Sequence, residues 1–301
     1  MEVFIQYLVN GLSMGSVYAL IALGYTMVYG IAKMLNFAHG DVIMVGAYVS
    51  FCATSYMGLP GWASVILSVV ACTVLGVLIE GLAYKPLRQA GSLAVLITAI
   101  GVSYFLQNAA QLLWGATPKN FTSLVTFKVP DFLAQFNVSA VSLVTIVSCL
   151  VIMAGLMYFT SKTKMGKAMR AVSEDKEAAV LMGINVNSTI ALTFAIGSGL
   201  AAVASLMYCA AYPQVSPMMG AMLGLKAFVA AVLGGIGSIP GAMIGGLAIG
   251  LIESLTKAYI GTITAGIITS AFSDAIVFAI LIIVLLVKPS GIMGKNEGEK
   301  V

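Results

Sequence analysis

The chain has 301 residues, of which 60% are hydrophobic and 9% charged, with a net charge of +4. Soluble domains carry about 25% charged residues, so this composition excludes a water-soluble fold and fits an integral membrane protein. The positive balance does not mark a nucleic-acid binder, because the cations lie in loops between apolar runs, where membrane orientation accounts for them.

The apolar runs are long and do not alternate, which favours spanning helices over a barrel. A span needs roughly 20 apolar residues. Eight or nine segments are expected in one all-α, polytopic domain covering 1–301. The first runs from about Phe4 to Ile31; lacking a basic n-region before it, it is expected to be a retained span and not a cleaved signal. Next come Val42–Met57, Trp62–Tyr84, Leu93–Trp114, Val141–Thr160 and Thr189–Ala211. Two shorter pieces, Leu223–Leu233 and Ala242–Leu255, flank a Gly-rich turn, and Ala275–Val287 ends the series. Gly11, Gly15 and Ala19 form a small-residue stripe on the first segment, and Gly197, Ala201 and Ser205 form another on the sixth. Such stripes let helices approach closely in lipid, within a chain or between subunits.

Two interruptions stand out. Asn36-Phe37-Ala38-His39-Gly40-Asp41 breaks the first apolar region, and Gly234 to Gly241 (GGIGSIPG, with Gly235 and Gly237) breaks the seventh. Broken apolar segments in opposite halves of a chain point to a transport pathway. The alternative is a pair of plain loops at the membrane surface. Intramembrane charges are few, and each has a structural reading. Glu253 and Lys257 are spaced to pair on one helix, Glu80 lies near Lys85, Asp41 and Asp274 sit where helices begin, and Lys226 can snorkel.

The only long polar stretch is Ser161–Ser188, with eight of the 26 charges. It reads as two short helices. Met165, Ala168, Met169 and Val172 make one apolar face. Ser173 is placed to cap a second helix with Glu174 and Asp175 in its first turn, Ala178, Ala179, Leu181 and Met182 as its small and apolar surface, and Gly183 as its terminator. Ten of the fifteen Lys/Arg lie in the loop after the third segment, in this block or in the tail. These loops are therefore assigned to the cytoplasm, which puts the loop 115–139, with Lys119, Lys128 and Asp131, and the N-terminus outside.

No chemistry of catalysis is written in the chain. A single histidine supports no His-based metal cluster and no Ser/His/Asp set, and GGIGSIPG lacks the lysine of a phosphate loop. No catalytic residue, metal site or cofactor is expected. Cys52, Cys72, Cys149 and Cys209 are expected to be buried free thiols.

Three stretches together carry a resemblance: NFAHGDVIMVGAY from Asn36, RAVSEDKEAAVLMGI from Arg170, and GLKAFVAAVLGGIGSIPGAMIGG from Gly224. In this order they resemble the LivH-type permeases of branched-chain amino-acid ABC importers, over nearly the whole chain. The resemblance implies an all-helical permease of the bacterial inner membrane. Its implied partners are a second similar permease, two cytoplasmic ATPases that bind the ATP, and an external soluble binding protein. It places Arg170, Glu174, Asp175, Ala178, Ala179 and Gly183 in the loop that docks on the ATPases; by residue type, Leu181 and Met182 offer the apolar anchors there. It places the segments holding Asn36, Phe37, His39 and Gly40, and Gly235, Gly237 and Gly241, in the translocation core. Permeases of the same family for urea, short amides or other amino acids share the pattern. A stand-alone secondary transporter, with Glu253 as its coupling residue, is the rival from another class.

Overall fold

The computed structural model describes residues 2–88, 90–122, 139–263 and 269–294. Lys128 and Asp131 of the expected outer loop, and Lys295 and Lys300 of the tail, lie outside the described residues. Among the described residues, nine apolar helices correspond to the eight or nine expected segments: α1 (Glu2–Ala32), α2 (His39–Ser55), α3 (Gly61–Ile79), α4 (Ser92–Trp114), α5 (Ala140–Lys162), α8 (Val186–Ala211), α9 (Met219–Gly234), α10 (Ile239–Ile263) and α11 (Ser273–Val287). α3 is prolonged to Leu87 by a π turn and a 3₁₀ turn. Six of these helices are long and apolar enough to cross a membrane. α2, α9 and α11 are shorter, at 17, 16 and 15 residues. The polar block folds as α6 (Lys164–Glu174) and α7 (Lys176–Leu181).

α1 is the centre of the bundle. It packs against α10, α8, α9 and α5, and is buried along most of its length. The small residues predicted on its face explain how. Gly11 lies against Ser254, Gly15 against Leu247 and Ala19 against Gly246, so α1 and α10 run antiparallel with their backbones nearly touching. The stripe on α8 is likewise used within the chain: Gly197 meets Gly24 and Val28 of α1, and Ser205 faces Gly46 of α2. α3, α4 and α5 leave most of their apolar side chains exposed or half-buried, as lipid-facing helices do.

The basic loops gather at one end. There Lys176 of α7 reaches the carbonyl of Ala32, and Arg88 joins Asn187 at the start of α8. The tail joins them, with the Ile292 and Met293 amides donating to Leu233 and Gly234. At the other end, β1 (Lys119–Asn120) pairs with β2 (Gln214–Val215). Hence α1 runs toward the basic end and turns back through 33–38 into α2. α8 runs away from it and turns back through 212–218 into α9. These two units have opposite senses, the arrangement of inverted repeats in transporters. The N-termini of α2 and α9 meet inside the bundle, where Gly40 lies against the backbone of Gly220 and Gly224.

The α1–α10 contact gives a first prediction. A Cβ on Gly15 would fall 2.8 Å from the Leu247 Cα, where no side chain can yield. Gly15→Val is expected to cost about 1–3 kcal/mol, the usual range for overpacking. Gly101→Ala on α4, whose Cβ would meet open space, is expected to be neutral or slightly stabilising. Thermal unfolding of the purified variants in detergent checks both; equal midpoints would show that α1 and α10 are not in backbone contact.

Candidate functional site

The loop at the basic end is built from two capped helices. The Thr163 hydroxyl accepts from the Gly166 amide at 3.0 Å and starts α6. Met169 and Val172 of the predicted apolar face are buried, but Met165 is exposed. The second helix starts later than the sequence suggested. Ser173 belongs to α6, and its hydroxyl donates back to the Arg170 carbonyl. The cap is Asp175, whose Oδ1 accepts from the Glu177 and Ala178 amides at 2.8 and 3.0 Å. Glu174 therefore ends α6 and does not open α7. A carboxylate makes a stronger cap than a hydroxyl here, because it also meets the positive end of the helix dipole. Gly183 terminates α7 as expected, at φ +78°, while the Ile184 amide donates to Ala179 and that of Gly183 to Val180.

The predicted docking surface divides in two. Ala178 faces out, and Leu181 and Met182 are 87% and 82% exposed, with Val180 beside them. Ala179 is only 2% exposed and packs into its own chain, so it serves the fold of the loop and not its outer surface. Arg170 is exposed, with its Nη2 donating to the Ser161 carbonyl at 3.1 Å. Glu174, Asp175 and Gly183 are also exposed.

Behind this tip the loop grips the bundle. The Lys176 ammonium donates to the Ala32 carbonyl at 3.0 Å, satisfying one of the orphan acceptors at the end of α1. Burial, and then the charges of Arg88 and Lys33, lower the pKa of Lys176. The next residue, Lys33, is a non-glycine at φ 57°, a conformation held only where the surroundings demand it. One turn further on, the buried Asn36 accepts from the Tyr84 hydroxyl at 2.9 Å. Tyr84 closes the π turn of α3. The same region holds Glu80, which pairs with Arg88 and not with nearby Lys85.

The two predicted breaks do come together. Tyr29, Met34, Asn36, Phe228 and Ile236 line one narrow crevice, and Gly237 lies beside Gly30. Phe37 and Tyr25 both pack on Phe228, and His39 stacks edge-on to Tyr25 with ring centroids 4.7 Å apart. His39 is buried, and its Nε2 meets no hydrogen-bonding partner among the described residues. The Gly-rich stretch is a tight turn at the basic end: Gly235 and Gly237 have φ of +103° and +95°, and Gly241 packs on the Gly234 backbone. The deep partner of the Asn36 break is instead the start of α9, which reading from sequence missed. Met218-Met219-Gly220 carries no polar flag, and only the close contact of Gly40 with Gly220 marks it.

A second feature escaped the sequence. Lys226 does not snorkel; it is buried and pairs with Glu253 at 2.9 Å and Asp274 at 2.7 Å. Glu253 also receives Lys257 at 2.5 Å, the predicted pair, and the Tyr18 hydroxyl at 2.7 Å. Asp274 is thus an ion partner, and Asp41 is not a cap either, since it accepts from Gln107 of α4 at 2.9 Å. All four cysteines are free; Cys72, Cys149 and Cys209 are buried, whereas Cys52 is half-buried beside the Trp114 indole.

Residues 7–285 match the family described as branched-chain amino acid transport system / permease component. The chain is 45% identical to the high-affinity branched-chain amino acid transport system permease protein LivH of Escherichia coli. It is 43% identical to the corresponding protein BraD of Pseudomonas aeruginosa. Each similarity covers 99% of this chain and 98% of the relative. A probable branched-chain amino acid transport permease protein, LivH of Methanocaldococcus jannaschii, is 31% identical over 91% of this chain and 88% of its own length. With eight further apolar helices beside α1 among the described residues, and a match along nearly its whole length, the chain belongs to the permease-component family of branched-chain amino acid transport systems.

Proposed function

We propose that the chain is one of two similar permeases in an ATP-driven ABC importer of leucine, isoleucine and valine across the bacterial inner membrane. The substrate class follows from full-length likeness to permeases named for branched-chain amino acid transport. In this reading the basic end is cytoplasmic and the β1–β2 end faces outward. ATP is bound and hydrolysed by two partner chains, and this one needs no cofactor of its own. A soluble binding protein delivers substrate to the outer end, and the pathway runs where the two permeases meet.

The observation that carries the mechanism is the α6–α7 loop. It presents an exposed apolar tip, Val180-Leu181-Met182, on a well-capped scaffold, while Lys176 on the same short helix holds the end of α1. A solvated loop that only set topology would need neither. Movement of the docked ATPases shifts α7, and α7 pulls on α1 where it turns into α2. Glu253 does not suit the ion-coupling role of a secondary transporter, because two lysines already neutralise it.

Leu181→Asp is expected to weaken association with the ATPases by about 10–100-fold, since a docked leucine contributes about 1.5–3 kcal/mol. Lys167→Ala, at an exposed position, is expected to change it little. Co-purification of the ATPases with each variant decides: undiminished capture by Leu181→Asp would make the tip a bystander. Lys176→Met tests the second half of the mechanism. It is expected to retain the ATPases but to lower leucine uptake per ATP hydrolysed at least fivefold, with partial recovery in Lys176→Arg. An unchanged ratio in Lys176→Met would remove the link through Ala32.

A further inference from the structure

The buried ion network of α9, α10 and α11 has no part in docking. Lys226 lies near the middle of α9, Glu253 just past the middle of α10, and Tyr18 near the middle of α1. Asp274 stands in the first turn of α11, a short helix that begins at this depth. The network is therefore intramembrane, where each unpaired charge is costly and ionisable groups mark substrate or ion paths. Its four charges sum to zero. Stability alone is a weak reason to keep it, because buried ion pairs gain little over apolar packing of the same volume.

Its exposure is uneven. The side chains of Lys226 and Glu253 are 9% and 6% exposed, but those of Lys257 and Asp274 are 47% and 32% exposed. The accessible edge of the network thus presents one ammonium and one carboxylate, with one more of each sign behind them. A zwitterion carries the same two groups. Its carboxylate can replace Asp274 or Glu253 on a lysine while its ammonium takes the freed carboxylate, and the total charge stays zero. A cationic or anionic solute would leave one charge uncompensated in a low-dielectric site. Urea or an amide would bring no charge to exchange.

We infer that Lys226, Glu253, Lys257 and Asp274 form a transient binding site for the α-ammonium and α-carboxylate of the transported amino acid. The site selects the zwitterionic backbone, and the apolar surroundings tolerate an aliphatic side chain. The inference rests on reading the chain as an amino-acid permease. Lys226 is the central residue of the site, since among the described residues it bridges both carboxylates.

The test uses the complete transporter reconstituted in lipid vesicles, with leucine as the probe and uptake per ATP hydrolysed as the readout. Two variants are compared: Asp274→Asn, and Lys226→Met combined with Asp274→Asn. The double variant removes one charge of each sign, so a purely structural network would tolerate it better than the single variant. A substrate site would not. Both variants are expected to assemble and to fall at least tenfold in leucine moved per ATP. A wild-type ratio in the double variant would overturn the site, and failure of the double variant to assemble would reduce the network to a folding element. Absence of ATP-driven leucine uptake by the wild-type assembly would instead overturn the permease reading on which the site depends.

Discussion

Helices in a bilayer gain nothing by hiding from lipid, whose tails are as apolar as leucine, so they are held by close packing and by polar contacts. α1 meets this constraint on every side. Gly11 and Gly15 bring its backbone onto α10, and Gly24 leaves room for His39 of α2 and for α8. Its polar atoms reach across the same contacts: the Tyr18 hydroxyl to Glu253, and the Ala32 carbonyl to Lys176. The outer helices α3, α4 and α5 can face lipid because α1 already holds α8, α9 and α10 together.

The same constraint explains the two helices that begin inside the bundle. A broken helix exposes backbone donors, which lipid cannot satisfy. α2 buries its first turn against the Gly220–Gly224 face of α9, with Gly40 on Gly220 allowing the approach, while Ala221 and Met222 on the other face of α9 are exposed. The break at Asn36 is further held by Tyr84, which the π turn of α3 turns toward it. A π turn inside an apolar helix is a frequent mark of a functional region. Here it joins the end of α3 to the α1–α2 break.

Much of this was legible in the sequence. The helices follow from length and hydropathy alone, because a span in lipid demands an uninterrupted apolar run. The stripes Gly11–Gly15–Ala19 and Gly197–Ala201–Ser205 declared close packing, though not their partners. The two-helix loop was visible because its polarity is unlike the rest of the chain. What the sequence did not contain was backbone geometry and long-range pairing. Ser173 and Asp175 both cap helices, and only backbone geometry selected Asp175. Ala178 and Ala179 are identical residues, and a rotation of about 100° along α7 puts one outside and the other in the core. Lys226 and Asp274 are 48 residues apart in the chain, beyond any local spacing rule; only the fold reveals the pair.

α1 also joins the two parts of the molecule on which the proposed mechanism rests. Lys176 holds its last carbonyl, and Glu253 holds the hydroxyl of Tyr18 about 21 Å up the same helix. Between these points the helix is continuous and closely packed, and a packed interior transmits a displacement without absorbing it. The helix ends at Ala32, beyond which Lys33 takes its left-handed conformation and 33–38 leave the helix. In the proposed mechanism a pull from α7 would have two effects of different kind. Along α1 it would move Tyr18 against Glu253, and across the break it would reorient the start of α2 against Gly220. One contact at the basic end would then act on the ion network and on the crossing of the broken helices together.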